Sequence, residues 1–119
     1  MFSTASEPLT PAVFYILLSL SIKEKHGYEI MKEVHDTSKG KVKLGPGTLY
    51  GTIKRMLEEK LIREVKTNNI STERRKYYKL TLQGEKMLST ELKRFADALE
   101  TAKKSSVNIS LLKSGIYFF

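Results

Sequence analysis

Apolar side chains crowd residues 12–22, where Val13, Phe14, Ile16, Leu17, Leu18 and Leu20 leave few polar interruptions. A helix that is apolar around most of its circumference wants burial on more than one side, and in a small chain a second subunit can supply one of those sides. Thr10 is placed to cap this helix and Pro11 suits its first turn. The expected span is 12–25, closed by His26-Gly27 with Gly27 just past the end. Tyr28, Ile30, Met31 and Val34 recur at spacings of three and four, so a second, shorter helix is expected over 28–37, ended by Ser38-Lys39-Gly40. Leu49, Ile53, Met56 and Leu57 mark the inner face of a third, which opens on Gly45-Pro46-Gly47-Thr48.

The pattern then changes period. Leu61–Lys66 and Arg74–Leu80 read as two strands around a polar tip, residues 67–73, and so as a β-hairpin. Tyr78, in phase with Leu80, is the inward member of the Tyr77-Tyr78 pair. Thr81 can cap a final helix from Leu82 to about Lys104, whose apolar residues Leu88, Leu92, Phe95, Leu99 and Ala102 follow steps of 4, 3, 4 and 3. That is a heptad seam between charged flanks, Glu91, Lys93, Arg94, Asp97, Glu100 and Lys103. Its natural cover is the same helix of a second copy. Helix, helix, basic helix and basic hairpin is the order of a winged helix-turn-helix. The expected fold is therefore mainly α with a small β-hairpin: a winged helix-turn-helix over 1–80, a dimerisation helix over 81–104, and an apolar tail, 105–119, of no evident role.

Charge sharpens this picture. The whole chain carries +8, and residues 39–79 alone hold twelve basic and four acidic groups, a net of +8. Residues 1–38 come to −2 and residues 80–119 to +2. Such a concentrated surplus is the footprint of a polyanion-binding surface. The third helix adds shape to charge. Its outer face carries Gly47, Gly51, Lys54, Arg55 and Glu58, with Thr48 and Tyr50 on the flanks. Glycines there cost about 1 kcal/mol each against alanine, a cost a chain accepts where another surface must come close. The helix N-terminus offers N–H groups to a phosphate, and an arginine bidentate to guanine is the commonest specific base contact.

Other classes of function find little support. Cysteine is absent, which removes disulfides, thiolate metal sites and a thiol nucleophile, and a reducing cytoplasm is the simplest compartment. No run of 18 apolar residues is present, so no membrane span is expected. His26 and His35 lie nine apart, which is not a ligand spacing on one helix face, and no metal site is expected. Neither a Ser-His-Asp set nor a GxxxxGK phosphate loop occurs, so no enzyme is expected.

The segments LTPAVFYILLSLSIKEKHGYEI (9–30), LGPGTLYGTIKRMLEEKLI (44–62) and RRKYYKLTLQGEKML (74–88) together resemble the PadR family of bacterial regulators, in that family's order and spacing. The resemblance covers about residues 9–104 and points to the compact branch, with a single short final helix. It implies a homodimeric repressor of a transporter or detoxification gene. Such a repressor binds a palindromic operator in double-stranded DNA and lets go when a small effector binds. It also implies DNA contacts at Thr48, Tyr50 and Lys54, and at Arg74, Arg75 and Lys76 on the wing; Arg55, next to Lys54, is a further candidate by its own chemistry. The subunit interface would draw on Val13, Leu17, Leu88, Leu92, Phe95 and Leu99. An effector pocket at the dimer centre would draw on Phe14, Leu92, Phe95 and Leu99. No cofactor is implied. The chain departs from the family where Lys60 stands at a position usually held by glycine. It also lacks the tryptophan that multidrug-binding members place against planar aromatic effectors. Two other readings are a protein-binding winged helix with an acidic partner, and a small-molecule sensor built on the dimer cavity.

Overall fold

A computed structural model describes residues 8–66 and 75–105. Four helices and three short strands follow in the order α1 (Pro11–Ile22), β1 (Lys25–His26), α2 (Gly27–Thr37), α3 (Pro46–Glu58), β2 (Ile62–Val65), β3 (Tyr77–Leu80) and α4 (Leu82–Lys103). The strands form one antiparallel sheet in the order β1-β3-β2. Ile62 pairs with Leu80 and Val65 with Tyr77 across the hairpin, while Lys25 pairs with Tyr78 on the far side of β3.

Thr10 caps α1 as its position suggests, its Oγ1 accepting from Val13 N–H at 3.3 Å. The end of α1 differs from expectation. The helix stops at Ile22, and Lys25-His26 leave it to pair with β3. The Lys25 ammonium reaches back and donates to the Ser19 carbonyl at 2.6 Å, which supplies a partner to one of the orphan carbonyls of the last turn. Gly27 is accordingly not the close of α1 but the first residue of α2. His26 is the N-cap: its Nδ1 accepts from Glu29 N–H at 3.3 Å while Glu29 Oε1 accepts from His26 N–H at 3.1 Å, a reciprocal capping box.

The core gathers around α1. Ile16, Leu17, Ile30, Val34, Leu49, Ile53, Met56, Leu61 and Ile62 are almost wholly enclosed, and Tyr78 and Leu80 close the sheet face as the strand phase requires. α1 packs against α2, α4 and β3 of its own chain. Val13, Leu17 and Leu88, expected at a subunit interface, are therefore enclosed by this chain alone and present no surface to a partner.

Two lysines end helices in the left-handed region. Lys39 follows α2 with φ +57° and Lys60 follows α3 with φ +61°. After α3, Lys60 N–H donates to the Leu57 carbonyl and Leu61 N–H to the Met56 carbonyl, each at 3.0 Å. This is a Schellman motif, and buried Met56 and Leu61 form the apolar contact that goes with it. Lys60 thus occupies the position where glycine is favoured, in the conformation that makes it so.

α4 starts under tight restraint. Thr81 Oγ1 accepts from Gly84 N–H at 3.0 Å and donates to the Lys60 carbonyl at 2.6 Å. A side chain on Gly84 would run into the Leu61 carbonyl oxygen, so the helix lies directly on the turn after α3. Further along, Glu91 is buried rather than on the charged flank. Its carboxylate accepts the Leu9 N–H at 3.1 Å and pairs with Arg94 Nε at 3.1 Å, tying the start of the chain to α4. Beyond it Leu92, Phe95 and Leu99 stay 41%, 50% and 43% exposed, an apolar stripe left open on the single chain. The tail, 106–119, lies outside the described residues. Among the described residues no helix is long and apolar enough to cross a membrane.

Candidate nucleic-acid interface

α3 divides cleanly into two faces. Leu49, Thr52, Ile53 and Met56 are buried, and Thr52 satisfies its hydroxyl by donating to the Thr48 carbonyl at 2.8 Å. Gly47, Thr48, Tyr50, Gly51, Lys54 and Arg55 are exposed. Around Gly45, Gly47 and Gly51 nothing beyond the adjoining backbone lies within 4 Å of where a Cβ would stand, so no internal crowding requires glycine there. The first turn of α3 holds no acidic residue and no side-chain cap, leaving its N–H groups and positive dipole end unopposed.

A groove of about 710 Å³ adjoins this face, lined by His26, Gly27, Tyr28, Glu29, Tyr50, Arg75, Lys76 and Tyr78. It joins three elements: the start of α2, the first turns of α3 and the base of the hairpin. Of the residues proposed from sequence, Tyr50, Arg75 and Lys76 come together here, while Thr48, Lys54 and Arg55 share the exposed face of α3. Arg75 and Lys76 precede β3 rather than lying within it, and Arg74 is outside the described residues. His26, Gly27, Tyr28 and Glu29 are not site candidates from the sequence, and Tyr28, counted there with the apolar positions of the second helix, is instead exposed. Their only local signal is the run His26-Gly27-Tyr28-Glu29, which reads as a break until its capping role is seen.

Buried groups beneath the site are tuned by desolvation. Burial raises the Tyr78 phenol above its ordinary value, helped by the nearby Glu64 carboxylate, so it stays a protonated donor. Burial lowers the Lys25 ammonium, an effect partly offset by the Glu33 carboxylate. On α4, the Phe95 ring stands edge-on to Phe14 with centroids 5.2 Å apart, leaving the other side of Phe95 open. Among the described residues no group of His, Asp and Glu side chains could hold a metal ion.

A sequence model of the transcriptional regulator PadR-like family matches residues 16–90. An uncharacterised protein of Lysinibacillus sphaericus is 33% identical over 87 residues, 71% of this chain and 79% of that one. A PadR family transcription regulator from Clostridium difficile superposes with a TM-score of 0.67 at 29% identity, over 80% of this chain and 97% of that chain. Bacillus subtilis PadR, solved with operator DNA, shares the fold at a TM-score of 0.62 and 23% identity, over 72% of this chain and 48% of that chain. Fold, sequence match and the basic outer face of α3 agree: this chain belongs to the PadR-like family of winged-helix, DNA-binding transcriptional regulators, which are not enzymes.

Proposed function

We propose that the chain acts as a homodimeric repressor that reads a palindromic operator in double-stranded DNA and is released by a small effector. The observation that carries this reading is the continuity of one exposed surface. Thr48, Lys54 and Arg55 on α3 lie next to the groove where Tyr50 meets Arg75 and Lys76. The outer face of α3 enters the major groove, with Lys54 and Arg55 toward base edges and Thr48 and Tyr50 toward backbone phosphates. Arg75 and Lys76, with Arg74, hold the flanking backbone from the wing.

Dimerisation follows from the apolar stripe. Leu92, Phe95 and Leu99 are spaced as a coiled-coil seam and are exposed on the single chain. Pairing α4 with its copy covers them and sets two α3 helices on half-sites about one helical turn apart. The same pairing encloses an effector space between the Phe95 rings of two subunits, with buried Phe14 packed edge-on behind each. Planar aromatic compounds suit such walls. The structure of Bacillus subtilis PadR with operator DNA supports the DNA-bound state as the working one. Control of a neighbouring transporter or detoxification gene in the cytoplasm is the role proposed.

The test is a footprint of the purified protein on the DNA flanking its own gene, repeated with a panel of planar aromatic compounds. Protection of a two-fold symmetric site, lost on adding one of the compounds, is the expected result. Binding to no flanking region, with capture of an acidic protein instead, would overturn it in favour of a protein-binding winged helix.

A further inference from the structure

We propose that the groove between α2, α3 and the hairpin seats one phosphodiester of the DNA backbone, and that Tyr28 on α2 is a DNA-contact residue there. This inference rests on the DNA-binding reading above and adds an element of the chain to it.

The first observation is the space made for Tyr50. Gly27 is buried at the start of α2, and a Cβ on it would collide with the Tyr50 hydroxyl and stand 2.7 Å from Cζ and 2.8 Å from Cε1. The glycine therefore answers a close approach by the phenol rather than a turn. Tyr50 is nevertheless 50% exposed. Its ring thus lies against the start of α2 while one side remains open to the groove.

The second is what the walls offer. Tyr28 is 64% exposed, its ring stacked on the His26 imidazole with centroids 6.5 Å apart and planes at 25°. Arg75 and Lys76, from the base of the hairpin, also line the groove and are exposed. The one carboxylate of the lining, Glu29, is committed to the α2 cap. It accepts the His26 N–H at 3.1 Å and lies 3.5 Å from His26 Nε2. Because His26 Nδ1 accepts from Glu29 N–H, the neutral ring carries its proton on Nε2, facing that carboxylate. Beside Glu29, whose carboxylate stays partly exposed, the mouth offers two phenolic hydroxyls and two cations. All four can donate, and a phosphodiester presents only acceptors and one negative charge.

The third is position. Tyr50 belongs both to the groove and to the exposed face of α3. A strand whose bases meet Lys54 and Arg55 passes the groove with its backbone, so the seat fixes the depth and angle at which α3 enters. One phosphate would then be held by α2, α3 and the wing together.

A duplex selected from a random-sequence pool serves as the probe, with a neutral methylphosphonate walked along its backbone. The wild-type protein should lose roughly ten-fold in affinity at one phosphate per half-site, the effect of a hydrogen bond to a charged group. Tyr28→Phe should lose a similar factor on the unmodified duplex and no longer respond to the methylphosphonate at that one position. Arg75→Ala should be blind to the same position, and Lys54→Ala should weaken binding yet keep the full response there. Wild-type affinity and an unchanged methylphosphonate profile for Tyr28→Phe would overturn the seat while leaving DNA binding intact. Failure to select any duplex, or indifference of binding to Lys54→Ala, would instead overturn the reading on which it rests.

Discussion

Replacing Lys60 with glycine should make this protein more stable. Lys60 sits at φ +61°, after the last turn of α3, in a backbone region that costs a residue with a Cβ about 1–2 kcal/mol. Its side chain is exposed, and the bonds that hold the motif come from its main chain: N–H to Leu57, carbonyl from Thr81 Oγ1. Glycine keeps both bonds. It also widens the unfolded ensemble, which takes back about 0.4–1 kcal/mol. The net gain is about 0.5–1 kcal/mol, or a rise in Tm of roughly 2–8 °C at 4–8 °C per kcal/mol for a domain of this size. Urea and thermal unfolding of the full chain, followed by circular dichroism, measure it. Lys60→Ala is the control: it retains the Cβ, keeps the strain and should unfold close to wild type. Lys60→Val adds β-branching in the same region and should be less stable than either. A Lys60→Gly protein no more stable than wild type, or an alanine variant that matches glycine, would refute the backbone argument.

Four further outcomes follow from the packing and the charges. Gly84→Ala should cost about 1–3 kcal/mol, since the new methyl meets the Leu61 carbonyl and α4 must lift off the α3 turn; a wild-type urea midpoint would contradict that contact. Thr81→Ala removes a cap of α4 and the donor to the Lys60 carbonyl, and should cost about 1–2 kcal/mol in the same assay. Leu92→Glu and Phe95→Glu should sediment as monomers with helical content retained, and a persistent dimer would place the subunit contact elsewhere. The depressed Lys25 ammonium gives a pH signature. Its folded pKa lies below the unfolded value, so burial of the charge weighs against the fold at neutral pH, and this is relieved as pH rises from the folded pKa toward 10.5. The stability of wild type relative to Lys25→Met should therefore rise between pH 7 and 10, and a flat difference would refute it. The ionisation of Tyr78 is common to both proteins and cancels in that comparison.

Helices α2, α3 and α4 were legible because each has one apolar face, and period 3.6 reads faces. α1 misled because it is apolar nearly all round. That pattern signals burial on several sides without saying by what, and here α2, α4 and β3 of the same chain do the covering, so Val13 and Leu17 are core. β1 could not be foreseen: a two-residue strand has no period, and its pairing with Tyr77-Tyr78 joins segments about fifty residues apart. Glu91 misled for a similar reason. Its burial depends on a backbone N–H 82 positions away. The basic face of α3 was legible residue by residue, since exposure followed from the phase of its apolar partners. The groove was not, because it is assembled from α2, α3 and the hairpin, and only Tyr50, Arg75 and Lys76 announced themselves by chemistry.

The salt dependence of DNA binding tests the central claim most directly. Cations on one surface act by displacing counterions from phosphates, so the slope of log affinity against log salt counts the phosphates they neutralise. For Arg75→Ala and Lys76→Ala the slope should be shallower than wild type by about 0.9 per phosphate lost, with the fold unchanged by circular dichroism. Identical slopes for wild type and both variants would show that the wing base does not touch the duplex, and would contradict the account.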